Sequence, residues 1–171
     1  MKIIKTPIRE EDVNDLSVGD MVLIRGEIYC GRDAVLPRVL KLAEEDRLAE
    51  AGIDLRGAVI FHTAVSPAGV GPTSSNKLEI ESSIEPLSRL GVKLHLGKGA
   101  LHRETVEALD RYHSVYAVIP PVTALLGDKT KQTRLVAFPE LGMEALYQLE
   151  ADGFPAIIAA IHGRSIYDEH K

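Results

Sequence analysis

The sequence predicts an α/β domain in which strands and helices alternate along the chain. Three observations predict this class. Strand-like and helix-like apolar patterns follow one another from end to end. The 171 residues carry no repeat, low-complexity tract or long linker, so we expect a single domain over residues 1–171. The glycine-rich stretches follow predicted strands, where protein scaffolds commonly present binding groups.

The longest strand is predicted near the N-terminus. A short acidic helix over residues 10–16 is followed by a strand over residues 21–29, in which apolar side chains alternate. Asp33 is a plausible N-cap for a helix that runs to about Ala51, with Pro37 tolerated in its first turn. The other predicted elements are strands over 57–63, 92–96, 115–119, 133–138 and 155–161, helices over 80–90, 102–112, 122–126 and 143–149, and a glycine- and proline-rich loop over 66–76.

Composition limits the cellular context and the partners. The net charge of −5 disfavours a nucleic-acid partner, which usually requires a basic excess. No apolar run approaches the roughly 18 residues of a membrane helix, and the N-terminus lacks a signal-peptide pattern. The single cysteine, Cys30, allows no internal disulfide and fits a reducing compartment. We therefore expect a cytoplasmic protein with neither a membrane nor a nucleic-acid partner.

Two cations sit next to glycines directly after predicted strands. Gly31-Arg32-Asp33 places a guanidinium beside a helix start, which suits an anion because both offer N–H donors. Gly97-Lys98-Gly99 places an ammonium group after the strand over 92–96, although it lacks the phosphate-loop pattern. The alternatives are a surface arginine beside a capping aspartate, and a turn with a solvated lysine.

A third loop is rich in hydroxyl groups. Gly71 permits the backbone to approach a ligand closely, and the hydroxyls that follow can donate to carboxylate oxygens or relay a proton. The alternative interpretation is a polar surface loop. The side chains that could bind or react are those of Thr73, Ser74, Ser75, Asn76 and Lys77.

The histidine and cysteine patterns predict no metal site in this chain. None of the six histidines forms the helical i, i+4 pair of a zinc protease, and one cysteine cannot hold an iron–sulfur cluster. His62 lies on an apolar strand and is expected to be a core histidine. Cys30 could be a thiol activated by Arg32, although a small buried residue is the plainer interpretation.

Five segments, in this order, together resemble one known family. Residues 26–34 resemble its G-x-I-Y-x-x-R-D-A, residues 71–78 its G-P-T-T-S-x-R-M, and residues 97–99 its G-K-G. Residues 141–145 resemble L-G-M-E-A, and residues 152–156 resemble the closing D-F-P-A. The family is the class I, iron–sulfur-dependent fumarase and L-tartrate dehydratase group, specifically its β subunit or C-terminal domain. The resemblance covers about residues 5–168.

The resemblance implies a fold for this chain and an active site that is shared with a second subunit. The chain would be a swivelling β/β/α three-layer domain, and the active site would form against a separate α subunit. That subunit would hold a 4Fe-4S cluster by three cysteines, and this chain would bind no cofactor by itself. The residues that the family's motifs imply here are Thr73 and Ser74 as catalytic residues, and Arg32, Asp33, Ser75, Lys77 and Lys98 as substrate-binding residues.

Three positions depart from the family pattern. Leu36 stands where the family commonly has a histidine, Lys77 where it has an arginine, and Ser74 where it has a second threonine. An arginine and a lysine are not equivalent at a carboxylate contact, because lysine lacks the planar fork of donors. These departures bear on the identity of the substrate more than on the fold.

We therefore expect the β subunit of a hydro-lyase that reversibly dehydrates a small hydroxy-dicarboxylate of the fumarate/malate or tartrate type. It would be active only with a cluster-bearing α subunit, and a homodimer is one possible assembly. The alternative is a non-catalytic dicarboxylate-binding or regulatory module on the same fold, which Leu36 and Lys77 favour. A third hypothesis is an unrelated α/β enzyme that uses Cys30 as its nucleophile.

Overall fold

A computed structural model describes residues 1–66, 69–73, 77–119 and 129–170, and it confirms the α/β class. Two short 3-10 helices, Pro139–Glu144 and Ile166–His170, accompany the α-helices. The helices are α1 (Glu10–Asn14), α2 (Leu36–Glu44), α3 (Lys77–Arg89) and α4 (Arg103–Arg111). The strands are β1 (Lys2–Lys5), β2 (Met21–Cys30), β3 (Val59–Phe61), β4 (Thr63–Ser66), β5 (Gly69–Thr73), β6 (Leu94–Gly97), β7 (Val115–Val118), β8 (Thr130–Ala137), β9 (Leu146–Ile161) and β10 (Arg164–Ser165).

Five strands of the main sheet run parallel in the order β1, β2, β3, β6, β7. Helices connect β2 to β3 and β6 to β7, as parallel pairing requires, because the chain must return to the starting edge between strands. The carboxyl ends of β2, β3, β6 and β7 therefore meet at one edge. Along that edge Cys30 pairs with Phe61, and Phe61 pairs with Leu96.

The long strand β9 closes the sheet on itself. It runs antiparallel to β2 from Tyr147 to Ile157, and antiparallel to β7 from Ile157 to Ala160. Strand pairing therefore forms a closed circuit through β2, β3, β6, β7 and β9. The outer strands β8 and β10 also pair with β9.

Alternating side chains divide the core into an inner and an outer part. Phe61 and Leu96 point into the circuit, where Phe61 meets Phe154 of β9 edge to face with ring centroids 6.3 Å apart. Ile60 points outward and packs under α2 and α3, where Leu87 of α3 is also buried. The strands thus bury both faces, as is typical of parallel sheets covered by helices.

Most predicted elements are confirmed with shifted ends, but five expectations are wrong. The predicted helix over 143–149 is the end of a 3-10 helix followed by β9, which at 16 residues is also the longest strand. Helix α2 ends at Glu44. Its N-cap is Val35 and not Asp33, because a turn closed by hydrogen bonds from Val35 N and Leu36 N to Arg32 O precedes it. The loop predicted over 66–76 contains β5, which pairs with β4 as a hairpin.

The predicted helix over 122–126 lies outside the described residues. Within the residues that are described, no helix combines the length and apolar character needed to cross a membrane.

Because β9 closes the sheet around an inner core, two alanine substitutions should lower the free energy of unfolding by different amounts. Phe154→Ala removes a fully buried ring from the inner core and should lower the free energy of unfolding by about 3–5 kcal/mol. Leu135→Ala, on β8 and 43% exposed, should change it by less than about 0.5 kcal/mol. Urea unfolding followed by circular dichroism measures both variants. Equal losses would contradict the assigned inner core.

Candidate functional site

The hydrogen-bond ladders continue beyond the carboxyl ends of the parallel strands and align the loops that follow. Gly31 N donates to Phe61 O at 3.1 Å, and His62 N donates to Leu96 O at 3.1 Å. The chain then leaves β2 at Arg32 and leaves β6 at Lys98. Since these two strands flank β3, the two cationic loops start two strand spacings apart, about 10 Å. Ligands of α/β sheets characteristically bind outside this edge.

Arg32 is held by Glu144, at the end of the 3-10 helix Pro139–Glu144. Its Nε donates to Oε1 at 3.3 Å and its Nη2 donates to Oε2, and each side chain is 29% exposed. The hydrogen bond to Glu144 raises the pKa of the Arg32 guanidinium above its usual range, so the group stays cationic. The described residues provide no partner for Nη1. One edge of the fork is therefore fixed and the other is left for a ligand.

Asp33 does not pair with the neighbouring Arg32. Arg32 bonds to Glu144 from a segment 112 positions away, and Asp33 lies half-buried in the turn before α2. The negative charge of Asp33 acts on His62, whose pKa it would raise. Glu144 is the site residue that sequence reasoning missed, and the only signal for it was its place in the L-G-M-E-A motif.

The hydroxyl-rich loop begins on the hairpin that grows from the end of β3. Thr73, the last residue of β5, pairs with Thr63, the first residue of β4. Strand β4 follows the end of β3, so pairing with Thr63 places the backbone of Thr73 close to the carboxyl end of β3. Lys77 is the first residue of α3. Ser74 and Ser75 lie outside the described residues.

Lys98 is exposed on a loop that Tyr116 holds in place. The Tyr116 hydroxyl donates to Gly99 O at 3.1 Å. A Cβ at Gly97 would lie 3.2 Å from the Tyr116 ring, so glycine permits this close approach. Gly99 has φ +83°, a conformation that glycine adopts without strain. Within the described chain Lys98 forms no ion pair, so its ammonium group is available to an anion.

Two buried histidines lie beneath this edge. His62 Nε2 is 3.2 Å from His95 Nδ1, and His95 Nε2 is 2.9 Å from Ser88 Oγ of α3. Burial lowers the pKa of His62 to about 4 and lowers the pKa of His95 as well, so both rings are neutral at pH 7. His62 Nδ1 is buried without a hydrogen-bond partner among the described residues. His62 is a core histidine, as expected, but an incompletely satisfied one.

Glu81 joins the two helices that begin near the site. This residue of α3 accepts hydrogen bonds from His102 N at 2.8 Å and from Thr105 Oγ1 at 2.6 Å, at the start of α4. Its side chain is only 8% exposed. Burial alone would raise the pKa of Glu81, but the hydrogen bonds from Thr105 and His102 lower it overall. Glu81 therefore fixes the segment after Lys98 against the helix that starts at Lys77.

Cys30 does not have the environment of a nucleophile. The residue is fully buried in the inner core, and burial raises the pKa of its thiol. This disfavours the hypothesis of a Cys30-dependent enzyme. No group of three or more histidine, cysteine, aspartate or glutamate side chains in the described ranges could hold a metal ion. These residues do not fit an iron–sulfur cluster.

A large cavity lies far from the predicted site residues. It measures about 770 Å³ and is found near the amino end of β2. Arg32, Lys98 and Glu144 are not among the residues that line it, so it is separate from the carboxyl edge. Its lining residues are Ser17, Val18, Ile161, His162, Arg164, Ser165 and Asp168.

The Glu81 contacts predict a pH-dependent stability difference. Because the folded-state pKa of Glu81 is lowered, its contribution is present above the ordinary glutamate pKa of about 4.3 and is lost as pH falls below it. Glu81→Gln should therefore cost about 1–2 kcal/mol of unfolding free energy near pH 7, and the gap from wild type should narrow towards pH 3. The control Glu85→Gln alters more exposed ion pairs, with Arg89 of the same helix and with Arg111 of α4. A gap that is constant with pH would contradict the assignment.

Comparison with known proteins identifies the family. The family model described as Fumarase C-terminus matches residues 2–170. The β subunit of L(+)-tartrate dehydratase from Escherichia coli K12 is 30% identical over 183 residues, covering 99% of this chain and 88% of that protein. A protein described as a putative β subunit of L(+)-tartrate dehydratase from Methanocaldococcus jannaschii is 30% identical over 177 residues, covering 95% and 89% respectively.

A longer relative is similar over the same region. A putative class I fumarate hydratase from Geobacillus stearothermophilus is 28% identical over 179 residues, covering 97% of this chain and 33% of that protein. The family model and the tartrate dehydratase relatives each cover nearly the whole chain, in agreement with the resemblance carried by the five motifs. The chain therefore belongs to the Fumarase C-terminus family, within the class I fumarase and tartrate dehydratase β-subunit group.

Proposed function

We propose that this chain is the β subunit of an iron–sulfur-dependent hydro-lyase that reversibly dehydrates a small hydroxy-dicarboxylate. The observation that carries the proposal is the alignment of loops at the carboxyl edge. There a fixed arginine, an available lysine and the start of a hydroxyl-rich segment leave adjacent strands. The names of the relatives, tartrate dehydratase and fumarate hydratase, support this reaction class.

In this proposal the chain's cations bind the two carboxylates of the substrate. Arg32 offers its free edge to one carboxylate, and its orientation is maintained by Glu144. Lys98 and Lys77 bind the other. Two cationic regions about 10 Å apart at the backbone can enclose a four-carbon diacid, because both kinds of side chain are long. Asp33 and Ser75 complete the proposed set of substrate-binding residues.

Thr73 and Ser74 are the proposed proton-transfer residues. This proposal is supported by the pairing of Thr73 with Thr63, just beyond the carboxyl end of β3. A hydroxyl is a weak base at neutral pH and needs neighbours that favour its ionised form. The positive charges of Lys77 and Lys98 would have that effect on Thr73. The proposed cluster belongs to an α subunit, because the described residues of this chain do not fit one.

The departure at Leu36 concerns packing. Leu36 is 2% exposed and lies in the outer core with Val35 and Val39. Leu36 Cδ2 lies 3.4 Å from the position that a Cβ of Gly31 would occupy, so this side chain packs against the loop that carries Arg32. A leucine here therefore fills a buried position, and the proposed substrate contacts do not require a polar group there.

Reconstitution with an α subunit tests the proposal. The chain purified alone should be colourless and inactive. Co-expression with a cluster-bearing α subunit should yield a brown, oxygen-sensitive complex that dehydrates malate, tartrate or a related acid. Iron analysis and a dehydration assay over several hydroxy acids measure the outcome. Dehydratase activity of the iron-free single chain would overturn the proposal, as would a complex that binds a dicarboxylate but turns over none.

The binding role of Arg32 predicts a specific loss of activity in that complex. Arg32→Lys retains the charge but loses the fork that contacts both Glu144 and substrate, so kcat/KM should fall about 10- to 100-fold. The control is Arg38→Lys on α2, whose partner Glu140 lies on the surface. It should stay within about twofold of wild type. Similar losses in both variants would indicate a structural effect and not a binding role.

A further inference from the structure

The side chains of Ser88, His95 and His62 form a hydrogen-bonded row, and the last nitrogen of this row has no partner among the described residues. His95 Nε2 is hydrogen-bonded to Ser88 Oγ, and His95 Nδ1 is hydrogen-bonded to His62 Nε2. The fourth ring nitrogen, His62 Nδ1, is buried without a partner in the described part of the chain. Leaving a buried polar atom unpaired is costly, and native structures pair nearly all of them. An atom of this kind requires an explanation, and one explanation is a contact that forms when a ligand is bound.

The end of this row that carries His62 lies at the candidate site. His62 is the first residue after β3, in the row that includes Gly31 and Gly97. Its backbone is next to Thr63, which pairs with Thr73. The charge of Asp33 acts on its ring. His62 is thus next in sequence to the partner of Thr73, and its ring lies within the electrostatic influence of Asp33, two positions that the proposed function assigns to the site.

The chemistry of His62 matches a hydroxyl better than a carboxylate. Neutral imidazole can present Nδ1 as a donor or as an acceptor, depending on the proton positions along the hydrogen-bonded row. If Ser88 donates to His95, then His95 donates to His62 and Nδ1 carries the proton. If Ser88 accepts, both bonds reverse and Nδ1 is an acceptor. A hydroxyl group can pair with either form, whereas a carboxylate can pair with only one.

We infer that His62 is a specificity-determining residue that hydrogen-bonds a hydroxyl group of the substrate, so that the enzyme favours a dihydroxy-dicarboxylate over a monohydroxy one. The inference rests on the proposed function and goes further by selecting the substrate class. The cations Arg32 and Lys98 serve carboxylates, which both classes carry. The second hydroxyl is the group that distinguishes the classes, and a neutral adaptable partner suits it.

The contact between His62 Nδ1 and the substrate hydroxyl would form in the ligand-bound complex. His62 is 1% exposed in the chain by itself, so a hydroxyl that reaches Nδ1 is removed from water. Discrimination is greatest under that condition, because an analogue lacking the hydroxyl leaves the buried nitrogen unpaired. Sites built to bond a substrate hydroxyl reject such analogues by factors of up to roughly 10⁴.

Two variants of His62 separate the ring nitrogens. His62→Gln can still reach His95 with its terminal amide but has no polar atom at the Nδ1 position. His62→Asn keeps a polar atom near Nδ1 and loses the bond to His95. Ser88→Ala, at the other end of the hydrogen-bonded row, serves as the control because it disturbs the buried hydrogen bonds and leaves His62 Nδ1 in place.

The measurement is kcat/KM of the reconstituted complex for tartrate and for malate, together with the dissociation constants of both acids by calorimetry. His62→Gln should lower the tartrate-to-malate ratio of kcat/KM at least about tenfold, with a parallel change in relative affinity. His62→Asn should retain most of the ratio, and Ser88→Ala should leave it within about threefold, even if both rates fall.

Three results would overturn the inference. The first is an active wild-type complex that prefers malate. The second is a ratio that His62→Gln leaves unchanged, and the third is a ratio that Ser88→Ala lowers as much as His62→Gln does. A wild-type complex with no activity on any of the hydroxy-dicarboxylates assayed would instead refute the proposed function, so the two failures are distinguishable.

Discussion

Antiparallel pairing of β9 with both β2 and β7 is the constraint on which the rest of the structure depends. These strands lie on opposite sides of the parallel set, so one continuous strand ties its two sides together. The closed circuit buries Phe61 against Phe154 and leaves the opposite faces of the strands for α2, α3 and α4. The carboxyl ends are thereby fixed at one edge, and the loops that carry polar groups have a rigid base.

That base explains how separated motifs reach one edge of the sheet. Arg32 is positioned from the end of β2 and from Glu144, which lies two residues before β9. Lys98 is positioned by Tyr116 on the adjacent strand β7. Thr73 is paired with Thr63 in the hairpin that follows β3. Each group is thus held by contacts with a second element, which is the preorganisation that a site for a small charged ligand requires.

The sequence was informative about the strands and loops and less so about long-range pairing. The motif around Arg32 and the glycines around Lys98 predicted both cations at strand ends, because glycine and strand periodicity are local signals. The pairing of Glu144 with Arg32 spans 112 positions and has no local signature. The helix predicted over 143–149 is wrong because a short apolar run fits either a helix or a strand, and only pairing with β2 decides between them.

The proposal that Arg32 and Lys98 bind the substrate at the carboxyl edge is tested most directly by a structure of the assembled α–β complex with a bound hydroxy-dicarboxylate. The account predicts one carboxylate on the free edge of Arg32, the other within reach of Lys98, and the acid lying over the ends of β2, β3 and β6. The α subunit should cover this edge. A ligand bound instead in the cavity beside His162 and Arg164, or bound without contact to Arg32 and Lys98, would contradict the account.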